Sequence, residues 1–203
     1  MPEAYRIPAH CLRSELVIRK SRFVTTVAPA ATVARAREFL ASVRAEMPAA
    51  NHHVYGFRVG FGKTVTEGMS DDGEPTGTAG PPTLAVLRGS GIGDIALVTT
   101  RFFGGAKLGT GGLVRAYTES AQQALAQLTT ELKVERRTVG IELPYSLYNI
   151  VKRMIAAHGG SLEDEVFDEQ VLLVARFVRE DLQRFTVELR ERTAGRIAPV
   201  KLD

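Results

Sequence analysis

The last third of the chain alternates in an order that few folds accommodate. "VERRTVGIELP" carries the β-branched and apolar residues of a strand. "SLYNIVKRMIAAHGG" follows as a helix, with Ser146 as the expected N-cap and Gly159–Gly160 as a stop. "SLEDEVFDE" and "VLLVARFV" are two further strands, "EDLQRFTVELRERTAG" is a second helix ending at Gly195, and "RIAPVKL" closes as a strand. The order β-α-β-β-α-β is the ferredoxin-like split pattern.

The preceding residues follow a different plan. Thr32 is placed to cap a helix in which Val33, Ala36, Leu40, Val43 and Met47 recur on one face. Strands are expected over Leu12–Arg19 and Arg22–Val27, and "HHVYGFRVG" and "KTVTEG" read as a hairpin around Gly60–Gly62. "DIALVTTRFF" is the most apolar strand candidate and is expected at the centre of a sheet. A long helix, "GGLVRAYTESAQQALAQL", buries Leu113, Tyr117, Ala121, Ala124, Leu125 and Leu128 as one stripe. Twelve of the 19 glycines lie between Gly68 and Gly112, so the loops beside this sheet carry the most specialised backbone. The expectation is an α+β chain of two closely coupled domains, residues 1–130 and 131–203, although no Pro/Gly/Ser linker marks the joint.

Charge separates the two parts. The first 130 residues hold 14 Lys+Arg against 10 Asp+Glu, an excess of +4, and the rest hold 12 against 13. Such an excess permits a nucleic-acid surface without requiring one. No apolar run approaches the roughly 18 residues of a membrane span, and the N-terminus lacks the features of a secretory signal. A cytoplasmic protein is expected, with no membrane partner. The single Cys11 agrees, since it allows no intrachain disulfide. One cysteine and four scattered histidines form no metal-ligand pattern, and no cofactor is expected.

Two loops carry possible chemistry. In "SDDGEPTGTAGPP", Asp71, Asp72 and Glu74 cluster, with Thr76 beside them and Thr78 placed to cap a helix that tolerates Pro81 and Pro82 in its first turn. The acids either hold a divalent cation or move protons, or they are solvated groups of an Asx-type turn. Their spacing fits no EF-hand. In "VTTRFFGGAKLGTGGLVRAY", Lys107 precedes the last glycines, which rules out a Walker A loop. No dinucleotide fingerprint opens the helix either. Gly109, Thr110, Gly111 and Gly112 present free amides at the helix start, and Arg101, Lys107 and Arg115 add positive charge. The corner is either an anion site or a tight strand-to-helix turn. Of His52 and His53, adjacent on a strand, one should face the core and the other a loop or solvent. Arg101 and Phe103 share a strand face, as an Arg-plus-aromatic nucleic-acid surface or, more simply, with Arg101 at a sheet end and Phe103 in the core.

"SDDGEPTGTAGPPTLAVL", "TTRFFGGAKLGTGGLVRAY", "KSRF" and "NHHVYGFRVG" together resemble the Impact family in its bacterial, YigZ-like branch. Within the strand motif His52 takes the family's His place and Gly56 its small position, where alanine is more usual; Asn51 stands where threonine is common. The resemblance covers roughly residues 12–128. It implies a ribosomal-S5-domain-2-like sandwich followed by a ferredoxin-like domain, a pair of folds that also occurs in the tRNA-mimicking end of the translocation elongation factor. The expected function is therefore a non-catalytic RNA- or ribosome-associated binding protein with an anion-binding glycine-rich loop, and the eukaryotic relatives, which regulate translation, imply a link to translation. The family brings no established catalytic residues. Two alternatives stand beside it: an enzyme acting on a phosphorylated or carboxylated small molecule, and a module that docks a protein partner through the less basic second domain.

Overall fold

The computed structural model describes residues 4–62, 64–134 and 136–202. Lys63, expected to open the second hairpin strand, and Glu135, expected within the first strand of the tail, lie outside the described residues. The chain divides between Lys133 and Val134 into two compact units.

The elements up to the division are β1 (Ala4–Pro8), β2 (Leu12–Ile18), β3 (Ser21–Pro29), α1 (Val33–Glu46), β4 (His52–Phe61), β5 (Thr64–Ser70), α2 (Gly80–Gly89), β6 (Ile95–Phe102) and α3 (Thr110–Gln127), with β7 (Thr130–Val134) spanning it. Five strands form an antiparallel sheet in the order β2-β3-β6-β4-β5. The apolar strand β6 lies at its centre, as expected, and is buried at every residue but Phe102. Strand alternation assigns the two faces. Phe23, Val27, Val54, Ile95 and Leu97 pack under α2 and α3, whereas Phe57 and Ala96 meet Ala36 of α1. A buried hydroxyl pair, Thr25 and Thr99 at 3.0 Å, sits between the apolar layers and satisfies itself. Thr32 caps α1 by accepting from the Arg35 N–H at 3.1 Å.

β1 and β7 form a two-stranded ribbon that the sequence reading did not anticipate. Asp94 ties it to the sheet. Its carboxylate accepts the Tyr5 hydroxyl at 2.8 Å, the Lys133 ammonium at 2.5 Å and the Gly60 N–H at 2.7 Å. Burial alone would raise the Asp94 pKa, but these donors outweigh it and hold the group below the ordinary carboxylate range.

From β8 (Arg136–Leu143) the chain runs through a short 3-10 turn (Tyr145–Leu147), α4 (Tyr148–Ala157), β9 (Ser161–Phe167), β10 (Val171–Val178), α5 (Arg179–Arg192) and β11 (Val200–Lys201). The sheet order β11-β8-β10-β9 is that of the ferredoxin-like pattern. Its core is separate from that of the first unit and centres on Phe177 and Phe185, stacked at 4.7 Å. Gly160 must be glycine, because a Cβ there would stand 2.4 Å from the Phe177 ring. Two details differ from expectation. Ser146 falls inside the 3-10 turn and caps nothing, since α4 begins two residues later. The closing strand shrinks to Val200–Lys201, because Pro199 has no N–H to donate to a ladder.

The depressed Asp94 pKa contributes stability above the ordinary carboxylate range that disappears as pH falls through the lowered value. Asp94→Asn is therefore expected to unfold at a lower temperature than the parent near pH 7, with the gap closing toward pH 3. Thermal unfolding followed at several pH values checks this, and parallel curves would contradict it.

Candidate functional site

Antiparallel pairing sets His52 on β4 opposite Arg101 on β6. Both lie on the face that α3 covers, at the end of the sheet where α3 begins. His53, one residue on, turns to the other face. There it is buried, its ring 3.2 Å from the Thr100 hydroxyl, and burial pushes its pKa down. His52 stays half-buried at the rim. Its Nδ1–H donates to the Asp72 carbonyl at 2.8 Å, and a carbonyl only accepts. In the neutral ring, Nε2 therefore carries the lone pair, and it lies 3.9 Å from the Glu74 carboxylate.

Glu74 is the centre of the site. It is 7% exposed, yet Arg101 donates to its Oε1 at 2.6 Å and Tyr117 at 2.7 Å. Burial, reinforced by the Glu74 charge, pushes the Tyr117 phenol far above its ordinary value, so it remains a donor. The guanidinium of Arg101, itself 5% exposed, lies 5.5 Å from the ring centres of both Phe23 and Phe103. Its Nε–H has no acceptor among the described residues.

The three clustered acids do separate work. Asp71 accepts from the backbone of Gly77, Ala79 and Gly80 at 2.8 to 2.9 Å. Burial opposes ionisation there, but the three N–H donors prevail and lower its pKa. Asp71, from across the loop, thus satisfies the start of α2, the role expected of Thr78. The Thr78 hydroxyl instead donates to the Pro75 carbonyl at 2.6 Å. Asp72, at φ +47°, pairs with Arg44 and accepts the His53 N–H at 2.6 Å. Only Glu74 faces the pocket. Among the described residues, no group of three or more His, Cys, Asp or Glu is placed to hold a metal ion.

The acidic and glycine-rich loops converge through Glu74. A pocket of about 430 Å³ is lined by Asn51, His52, Glu74, Pro75, Arg101, Phe103, Lys107, Leu108, Gly109, Thr110 and Leu113. Gly109, at φ +72°, ends the loop and starts α3, whose first N–H groups have no intrahelical acceptor. The helix start and Lys107 therefore present positive potential beside the pocket. Arg101 and Lys107 against Glu74 leave the lining one positive charge in excess when His52 is neutral. Gly111, Gly112 and Arg115 continue α3 outside the lining, and Thr76 is exposed on the acidic loop.

Three members were not legible beforehand. Asn51 accepts the Phe103 N–H at 2.7 Å, fixing the chain just beyond β6. Tyr117 reads as plain core on a helical stripe. Phe103, favoured as a core residue, is 46% exposed, while Arg101 is the one buried. The alternation past Phe102 is lost because β6 ends there and Gly105, at φ +86°, turns the chain.

Comparison with known proteins also divides the chain in two. Residues 19–125 match the Impact N-terminal domain, and residues 141–196 match a domain of unknown function, DUF1949. The chain is 38% identical over 194 residues to IMPACT family member YigZ of Escherichia coli, covering 95% of each. It is 36% identical to an IMPACT family member of Haemophilus influenzae, covering 95% of this chain and 94% of that one. A crystal structure of a hypothetical protein, 36% identical, superposes with a TM-score of 0.73 over 100% of this chain and 99% of that one. The chain belongs to the IMPACT family.

Removing one member of a buried ion pair strands the other, at roughly 3–5 kcal/mol. Glu74→Gln and Arg101→Met are each expected to destabilise the first unit on that scale in urea unfolding. The double variant Glu74→Gln/Arg101→Met should lose clearly less than the two singles combined. Additive losses would mean that the pair is not coupled.

Proposed function

We propose that this chain is a cytoplasmic RNA-binding protein acting in association with the ribosome, and that the pocket beside α3 receives a nucleotide of single-stranded RNA. The observation that carries this reading is one juxtaposition. Exposed Phe103 stands over a buried arginine at the mouth of a pocket that Lys107 and the start of α3 make positive. An aromatic face beside a cationic backbone contact is the combination by which proteins hold unpaired bases without reading sequence. Helix-start amides suit the accompanying phosphate. The +4 excess in the first 130 residues has the matching sign. The resemblance of the domain pair to the tRNA-mimicking end of an elongation factor points toward the ribosome and translation as the setting.

A second reading, an enzyme acting on the bound anion, has one observation in its favour. The Asp72 carbonyl holds His52 with Nε2 toward Glu74 in the pocket, an orientation suited to a general base. Under this reading His52→Gln abolishes turnover of a phosphorylated ligand while leaving its binding near normal. Under the binding reading no turnover occurs in either protein.

Binding of a labelled single-stranded RNA oligonucleotide should weaken steeply with added salt. Phe103→Ala is expected to cost about 1–3 kcal/mol of binding, the range for one stacked base. Lys107→Glu and Arg115→Glu should weaken it further and flatten the salt dependence. Fluorescence anisotropy across a salt series checks this, and affinity that is absent or indifferent to salt would contradict it.

A further inference from the structure

The hairpin between β2 and β3 closes on two residues, Arg19 and Lys20, between the paired Ile18 and Ser21. Both sit at positive φ, +47° and +66°. A two-residue hairpin turn with positive φ at both positions is normally built from Asn-Gly or another pair with glycine, because longer side chains are strained in left-handed backbone. Here the two strained positions hold two long cations. Both are exposed, and neither has an ion-pair partner among the described residues. The next cation, Arg22, is already engaged: it lies 3.4 Å from Glu15 and 4.6 Å from the centre of the Phe102 ring.

The turn also has a fixed place relative to the pocket. A Cβ on Gly104 would stand 1.9 Å from the Lys20 carbonyl oxygen, and the Gly104 N–H donates to the Ser21 hydroxyl at 3.3 Å. The turn backbone therefore rests directly on the residue that follows Phe103. Strained backbone positions persist where the surrounding structure over-determines them, and they cluster at sites that bind or react. Asn-Gly would close this hairpin with less strain but would remove both charges.

We infer that the Arg19–Lys20 turn is a second phosphate-binding site, which takes the backbone of single-stranded RNA as it leaves the Phe103–Lys107 pocket. This rests on the RNA-binding reading of that pocket. The turn supplies charge without sequence recognition, and the close packing on Gly104 holds it in line with the base-stacking ring.

The test compares the parent with Arg19→Asn/Lys20→Gly and with Arg19→Gln/Lys20→Gln, using a labelled single-stranded RNA decamer and a free mononucleotide. Two lost phosphate contacts make the slope of log affinity against log salt less negative by about 1.4 in both variants, at about 0.7 per contact on single strands. Mononucleotide affinity, which needs only the pocket, stays within about twofold. The Asn-Gly variant, relieved of strain, unfolds at a higher temperature than the parent even as it binds the decamer more weakly. The Gln-Gln variant removes the charges and retains the strained side-chain positions, so its loss of decamer affinity cannot come from a change of turn. An unchanged salt slope in the Gln-Gln variant, with the parent binding the decamer, would overturn the inference and leave the pocket reading intact. A parent that binds no decamer would overturn both.

Discussion

The contact on which the first unit's site depends is the buried carboxylate of Glu74. It joins three segments far apart in sequence: Arg101 at the end of the central strand, Tyr117 two turns inside α3, and the acidic loop that carries Glu74 itself. A carboxylate taken out of water demands donors, and these two are the ones it receives. By meeting that demand, the loop is drawn over the end of the sheet and the pocket gains a wall. The arrangement is costly to break from either side, which makes it a positioning device as much as a source of stability.

Around this centre, each neighbouring group has its orientation fixed by an element behind it. Asp71 gathers the backbone of the loop and the start of α2; Asp72 holds the His52 ring and the His53 backbone; Asn51 holds the chain at Phe103. The result is a rigid rim around one exposed aromatic ring and one exposed lysine. Preorganisation of this kind lowers the ordering cost of binding, which is what the proposed ligand, a flat base with its phosphate, requires of a modest pocket with a single excess positive charge.

How much of this could be read from the sequence follows from the range of each interaction. The helix stripe from Leu113, the Thr32 cap and the βαββαβ order of the tail are local patterns, and they appear where the spacing placed them. The central place of "DIALVTTRFF" followed from its being the most apolar strand candidate, with the run Ile95–Val98. The β1–β7 ribbon was not legible, because its strands are short and what secures it is a buried aspartate reached by Tyr5 and Lys133 from either end of the unit. The different fates of Asp71, Asp72 and Glu74 were equally hidden. Three acids within four positions look alike in sequence, and only the register that puts His52 opposite Arg101 decides which of them is buried. Phe103 and Arg101 exchanged the surroundings expected of them for the same reason: a carboxylate from a distant loop makes burial of the arginine favourable.

Under the proposed function, a base of single-stranded RNA stacks at Phe103. Photo-crosslinking reports this contact directly. An oligonucleotide carrying 4-thiouridine is irradiated with the protein, and the attached peptide is identified by mass spectrometry. Attachment is expected within residues 101–110 or at Asn51 and His52 on the opposite rim, with the yield falling in Phe103→Ala. Attachment confined to the tail after Val134, or none at oligonucleotide concentrations that saturate binding, would contradict it.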